Sequence, residues 1–84
     1  LYAHQEYLLH PKEGWIKALR KVLGMTALQL SKKLNVTVSR IYELEKAELD
    51  DTTTLKAMKN AAEAMGCRFE YCFVPIKPLD TLLR

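Results

Sequence analysis

The chain has 84 residues, a net charge of +3, and 49% hydrophobic against 27% charged residues. At this size only about 60% of the unfolded surface can be buried, which leaves room for one compact domain and excludes two. The balance of apolar and charged residues excludes a disordered tail, and the small positive charge favours a polyanionic partner without identifying one.

No apolar run approaches the ~20 residues that span a bilayer, and the first residues lack a basic-then-apolar leader pattern, so the cytoplasm is the expected location. The chain opens on Leu1 rather than a methionine, as a fragment of a longer protein would.

Residues 1–13 read as an extension in which Tyr2, Leu8 and Leu9 form one face of a short helix ahead of Pro11. From Gly14 the spacing of Trp15, Leu19, Val22 and Leu23 predicts an amphipathic helix that Gly24 terminates, with Lys17, Arg20 and Lys21 between the apolar positions. Thr26-Ala27-Leu28-Gln29 fits a capping box: the threonine hydroxyl takes one orphan N–H and the glutamine side chain takes another. The helix it opens sends Leu30 and Leu34 to the core and closes at Asn35, which tolerates the left-handed conformation of a sharp turn.

After the turn, with Val36 facing inward, Thr37 caps a third helix. Ile41, Leu44 and Glu45 lie on one side of it, and Val38, Ser39, Tyr42 and Glu43 on others. Glu48 to Thr53 reads as a polar loop. Thr54 caps a fourth helix with Leu55, Met58, Ala62 and Met65 inward and Gly66 at its end. From Cys67 to Pro75 the period changes to two, with Phe69, Tyr71 and Phe73 alternating against Arg68, Glu70 and Cys72, which predicts a β-strand. In a strand, Cys67 and Cys72 point to opposite faces and do not bridge, so both are expected as buried reduced thiols.

Leu23-Gly24-Met25-Thr26, followed by Leu30, Leu34, Val36, Thr37, Ile41, Leu44 and Glu45, resembles the phage-repressor (Xre-type) helix-turn-helix family over about half of the chain. The resemblance implies a mainly α, lambda-repressor-like bundle of four to five helices. It also implies a transcriptional regulator that binds double-stranded DNA, with the third helix in the major groove. Val38, Ser39, Arg40, Tyr42 and Glu43 then approach base edges. Thr26 and Ala27, at the N-terminus of the second helix, lie by a phosphate, as does Thr37, although many relatives carry glutamine where this chain has Ala27. Arg20 is implied to pair with Glu45 while facing the DNA backbone. Lys12, Lys17, Lys21, Lys32 and Lys33 are further phosphate candidates, though lysines on helical faces are more often only solubilising.

Gly14-Trp15-Ile16, Glu45-Lys46-Ala47-Glu48 and Tyr71 to Pro75 together resemble the mobile mystery protein A family. Its members belong to mobile elements and are often encoded beside a Fic-domain protein. That likeness implies a repressor or an autoregulating antitoxin with a Fic-type toxin as partner. The alternative is an interaction module that neutralises a toxin, with DNA binding secondary.

A lone strand leaves its backbone groups unpaired, so residues 67–84 are expected to pair across a homodimer, with Phe69, Tyr71 and Phe73 at the seam. Residues 14–66 form the DNA-binding domain in this reading. No glycine-rich phosphate loop and no cysteine or histidine spacing of a metal site is present, so neither an enzyme, a cofactor nor a metal is expected.

Overall fold

The computed structural model describes residues 10–78, and the helix expected over Leu1 to His10 lies almost wholly outside them. Among the described residues four helices follow one another: α1 (Trp15–Val22), α2 (Ala27–Leu34), α3 (Val38–Leu49) and α4 (Leu55–Ala64). Ile16, Leu30, Ile41, Leu44, Met58, Ala61 and Met65 form the shared core, with Leu30 and Ile41 fully excluded from water.

Each start and stop has a local cause. Thr26, Thr37 and Thr54 each accept a hydrogen bond from the backbone N–H three residues on, and Gln29 returns a bond to the N–H of Thr26, completing the capping box. All four helices end in the same way. The N–H groups of Gly24 and Met25 reach Lys21 and Arg20, and those of Asn35 and Val36 reach Lys32 and Ser31. Asp51 and Thr52 reach Glu48 and Ala47, and Gly66 and Cys67 reach Glu63 and Ala62. This paired bonding needs a residue of positive φ just past the helix. Asn35 (φ 57°) and Asp51 (φ 59°) adopt it although they are not glycine.

Asp51 marks where α3 stops, so the helix continues through Glu48 to Leu49 and the expected loop begins later than its polar composition suggests. The buried face of α1 is also rotated from the expected one. Ile16 is buried and Leu19 half-buried, whereas Trp15 is 41% and Val22 82% exposed. Val36 is exposed rather than inward, and on α4 Leu55 is exposed rather than in the core, where Ala61 is buried.

The cause of the rotation lies on α3. α1 has no side-chain cap of its own, because Gly14 occupies that position. Instead the buried carboxylate of Glu48 accepts from the N–H of Trp15 at 2.7 Å and of Ile16 at 3.0 Å. A carboxylate at a helix N-terminus is favoured by the exposed N–H groups and the dipole together. It fits there only because Gly14 lacks a side chain: a Cβ would sit 2.9 Å from Glu48 Oε1, at a φ of +87° that L-residues avoid.

Residues 67–78 contain no strand, which corrects the expectation for this segment. Among the described residues no ladder partner is at hand, and the aromatic residues find apolar surface nearby. Phe69 packs against the core, so it does not stand free for a dimer seam, and Tyr71 stacks on it at 5.6 Å with the Lys59 ammonium over its ring. Phe73 remains fully exposed. Cys67 and Cys72 are free and exposed rather than buried, because the alternation that would have sorted them by face is absent.

Glu48→Gln is expected to lower stability by about 2 kcal/mol, since the amide NH2 replaces one of the two accepting oxygens and then faces a backbone N–H, donor against donor. Gly14→Ala is expected to cost at least about 1 kcal/mol through the clash and the positive φ. Urea unfolding of both variants checks this, and wild-type midpoints would remove Glu48 from the capping role.

Candidate nucleic-acid interface

Helices α2 and α3 are joined by Asn35, Val36 and Thr37. Asn35 in the left-handed region lets the chain reverse within three residues, and Thr37 in an extended conformation starts the next helix at once. The buried faces of the two helices, Ala27, Leu30 and Ser31 on one and Ile41, Leu44, Glu45 and Glu48 on the other, fix their packing. Ser31 is accommodated because its hydroxyl donates to the Leu28 carbonyl at 2.6 Å.

On the outward side the residues are free. Ser39, Arg40, Tyr42 and Glu43 are all exposed near the start of α3, and Tyr42 keeps 56% of its surface in water. Arg40 and Glu43 form an exposed ion pair, 3.3 Å between guanidinium and carboxylate. Val38 departs from this set: it packs half-buried against the core, so only part of its side chain faces outward.

The residues considered for phosphate contact divide by atom type. Ala27 is buried, so only its backbone N–H is free to meet an anion. Thr26 and Thr37 use their hydroxyls as helix caps, which leaves the first N–H groups of α2 and α3 without an intrahelical acceptor. Such N–H groups at a helix N-terminus suit a phosphate.

Arg20 lies inside the fold. Its guanidinium donates to Glu45 at 2.9 and 3.4 Å and to the Met25 carbonyl at 3.2 Å, and only 12% of its side chain is exposed. It ties α1 to α3 and supports the α1–α2 turn, so an outward role toward DNA corresponds poorly to its position.

Lys32 and Lys33 are exposed on the last turn of α2, and Lys12 is exposed before α1. Lys21 is engaged by Glu13 at 2.7 Å, and this hydrogen bond holds the Glu13 carboxyl below its ordinary value. Because that value is depressed on folding, the pair's contribution is present above the unfolded carboxyl's titration and fades as pH falls through the folded one.

Sequence reasoning did not single out Glu48, whose role depends on meeting a helix end more than thirty residues away in the chain. It is the buried, acidic continuation of the Ile41–Leu44–Glu45 face, and that register is the signal that points to it.

A groove of about 720 Å³ lies elsewhere, lined among others by Trp15, Leu55, Met58, Phe69 and Tyr71, with Glu48 as its sole α3 residue and none from α2. It is separate from the outward face of α3. No group of three or more metal-ligating side chains occurs among the described residues, and no helix of theirs is long and apolar enough to cross a membrane.

A short four-helix bundle whose second and third helices meet at a three-residue turn, with polar side chains free on the third, defines a helix-turn-helix protein. The sequence model of the Xre-type, lambda-repressor-like helix-turn-helix family matches residues 16–72, and the chain belongs to that family of DNA-binding regulators. No curated protein and no solved structure matches the chain.

Two substitutions separate the scaffold from the surface. Glu45→Ala is expected to cost about 3 kcal/mol, because Arg20 is left as an unpaired and largely buried charge. The double replacement Arg20→Met with Glu45→Met should recover most of that loss, since neither charge then remains. Thr37→Ala should cost only about 1 kcal/mol, the worth of a helix cap. Thermal melts of the four proteins decide this, and equal losses in the single and double variants would remove the ion pair as the link between α1 and α3.

Proposed function

We propose that the chain is a sequence-specific transcriptional regulator that binds double-stranded DNA as a homodimer and represses its target. The observation that carries this reading is the free polar surface of α3 beside two capped helix N-termini, on a bundle of the repressor family. Ser39, Arg40, Tyr42 and Glu43 read base edges in the major groove, with the exposed part of Val38 against a thymine methyl. The N–H groups at the starts of α2 and α3, beside Thr26, Ala27 and Thr37, hold phosphates, and Arg20 positions α3 through Glu45 rather than by touching DNA.

Homodimerisation is supported by the chemistry of the segment after α4. Tyr71, Phe73, Val74 and Ile76 leave more than half of their surface in water, a run of apolar side chains that a second copy would cover. A two-fold dimer presents two α3 helices to successive major grooves about 34 Å apart, as a palindromic operator requires.

The finer reading is an autoregulating antitoxin whose partner is a Fic-type toxin, and it rests on the resemblance to the mobile mystery protein A family. The same apolar segment and the groove beside it also support a second reading, an interaction module that docks a toxin with DNA binding secondary.

Salt separates these readings, because duplex binding falls steeply as counterions are released, whereas apolar docking responds little. For a DNA regulator, Ser39→Ala and Arg40→Ala are each expected to weaken binding to a selected operator by about 1–3 kcal/mol with melting temperature unchanged. Sedimentation of the purified protein should give a dimer at micromolar concentration that Phe73→Asp converts to monomer. Full affinity in both α3 variants would move the DNA surface elsewhere, and a wild-type monomer would remove the dimer.

A further inference from the structure

The exposed ion pair between Arg40 and Glu43 places a carboxylate on the outward face of α3, where every nearby phosphate of a bound polyanion would repel it. The two side chains lie one turn apart on the outward face of α3, with 52% and 65% of their side-chain surface in water. Three residues of helix advance about 4.5 Å along its axis, close to the ~3.4 Å stacking of base pairs, so the pair spans about one base-pair step.

In the major groove guanine offers two acceptors, N7 and O6, and the amino group of its paired cytosine offers a donor beside them. A guanidinium with a carboxylate at its flank carries the complementary pattern of two donors and one acceptor. Adenine also shows a donor there, but a carboxylate cannot at the same time donate to its N7, so cytosine is the better fit.

We propose that Arg40 and Glu43 act as one reading unit for a G·C element of the operator, the guanine taken by Arg40 and a cytosine amino group of the adjoining base pair taken by Glu43. This rests on the reading of the chain as a duplex-DNA regulator. The unit carries no net charge, so it adds sequence preference while contributing almost nothing to the general attraction for phosphates. It gives Glu43 a place on a DNA-facing helix: its carboxylate orients the guanidinium in the free protein and discriminates against bases that offer no donor in the bound one.

The test is selection of bound duplexes from a random library by the wild-type chain, by Glu43→Gln and by Arg40→Ala, with binding to the enriched site then measured against salt. Both side chains are exposed, so the variants should melt as the wild type does. The wild type is expected to enrich a site with a guanine beside a required cytosine of the adjoining base pair. Glu43→Gln should keep the guanine and move the cytosine position toward adenine, which glutamine reads through N6 and N7, and Arg40→Ala should relax the guanine. Each lost contact should lower affinity for the wild-type site by about 10- to 100-fold, and the double variant Arg40→Ala with Glu43→Ala should leave the salt slope unchanged. An enriched site without this element, identical sites from wild type and Glu43→Gln, or a salt slope lowered by about one in the double variant would overturn the inference while the regulator reading stands. Enrichment of no site at all by the wild type would overturn both.

Discussion

Two carboxylates one turn apart on α3, Glu45 and Glu48, determine where that helix sits. Both are almost fully buried, and a buried charge is costly unless it is paired and hydrogen-bonded. Both find their partners on α1: Glu48 takes the two N–H groups at its start, and Glu45 takes Arg20 near its end. α3 therefore grips α1 at both ends, with one end of the grip closed by a side chain and the other by backbone. Sliding or rotating α3 by a residue would strand at least one of these charges, so its register is held by a penalty rather than only by apolar packing, which tolerates repacking more readily. Gly14 is part of the same constraint, since any side chain there would occupy the space of the Glu48 carboxylate.

The outward surface follows from that arrangement. With Ile41, Leu44, Glu45 and Glu48 committed inward, helical geometry leaves Ser39, Arg40, Tyr42 and Glu43 facing out. The left-handed Asn35 sets the angle between α2 and α3, and the threonine caps leave the first N–H groups of each helix available. The outward face of α3 is thus made of side chains that the core has no use for, held in place by a helix that the core cannot release.

The sequence was most legible where the cause is local. The threonine caps, the capping box closed by Gln29, the left-handed Asn35 and the glycines after α1 and α4 depend on neighbours within a few residues, and each can be read from the residue types alone. The Arg20–Glu45 pair was reached through family likeness, and the structure has it, although turned into the fold. Less legible were features decided by distant parts of the chain. The buried face of α1 is set by the Glu48 cap, which favours Ile16 over the larger Trp15. The end of α3 depends on Asp51 taking a positive φ without being glycine. The period-two pattern of Phe69, Tyr71 and Phe73 did not become a strand, because pairing needs a neighbour strand and the described residues contain none. Within the recognition surface, Val38 and Ala27 were legible as positions but not as burial, since both are small apolar residues at helix starts where packing decides how far the side chain turns inward.

In the proposed mode of binding, duplex DNA meets the N-termini of α2 and α3 and the outward face of α3. Backbone amide shifts of the labelled protein, followed as a selected duplex is added, test it most directly. The account predicts the largest changes at Ala27, Leu28, Val38, Ser39 and Arg40, with side-chain changes at Tyr42 and little movement on α4. Changes confined to α4, Phe69 and Tyr71, with α2 and α3 unmoved, would contradict it.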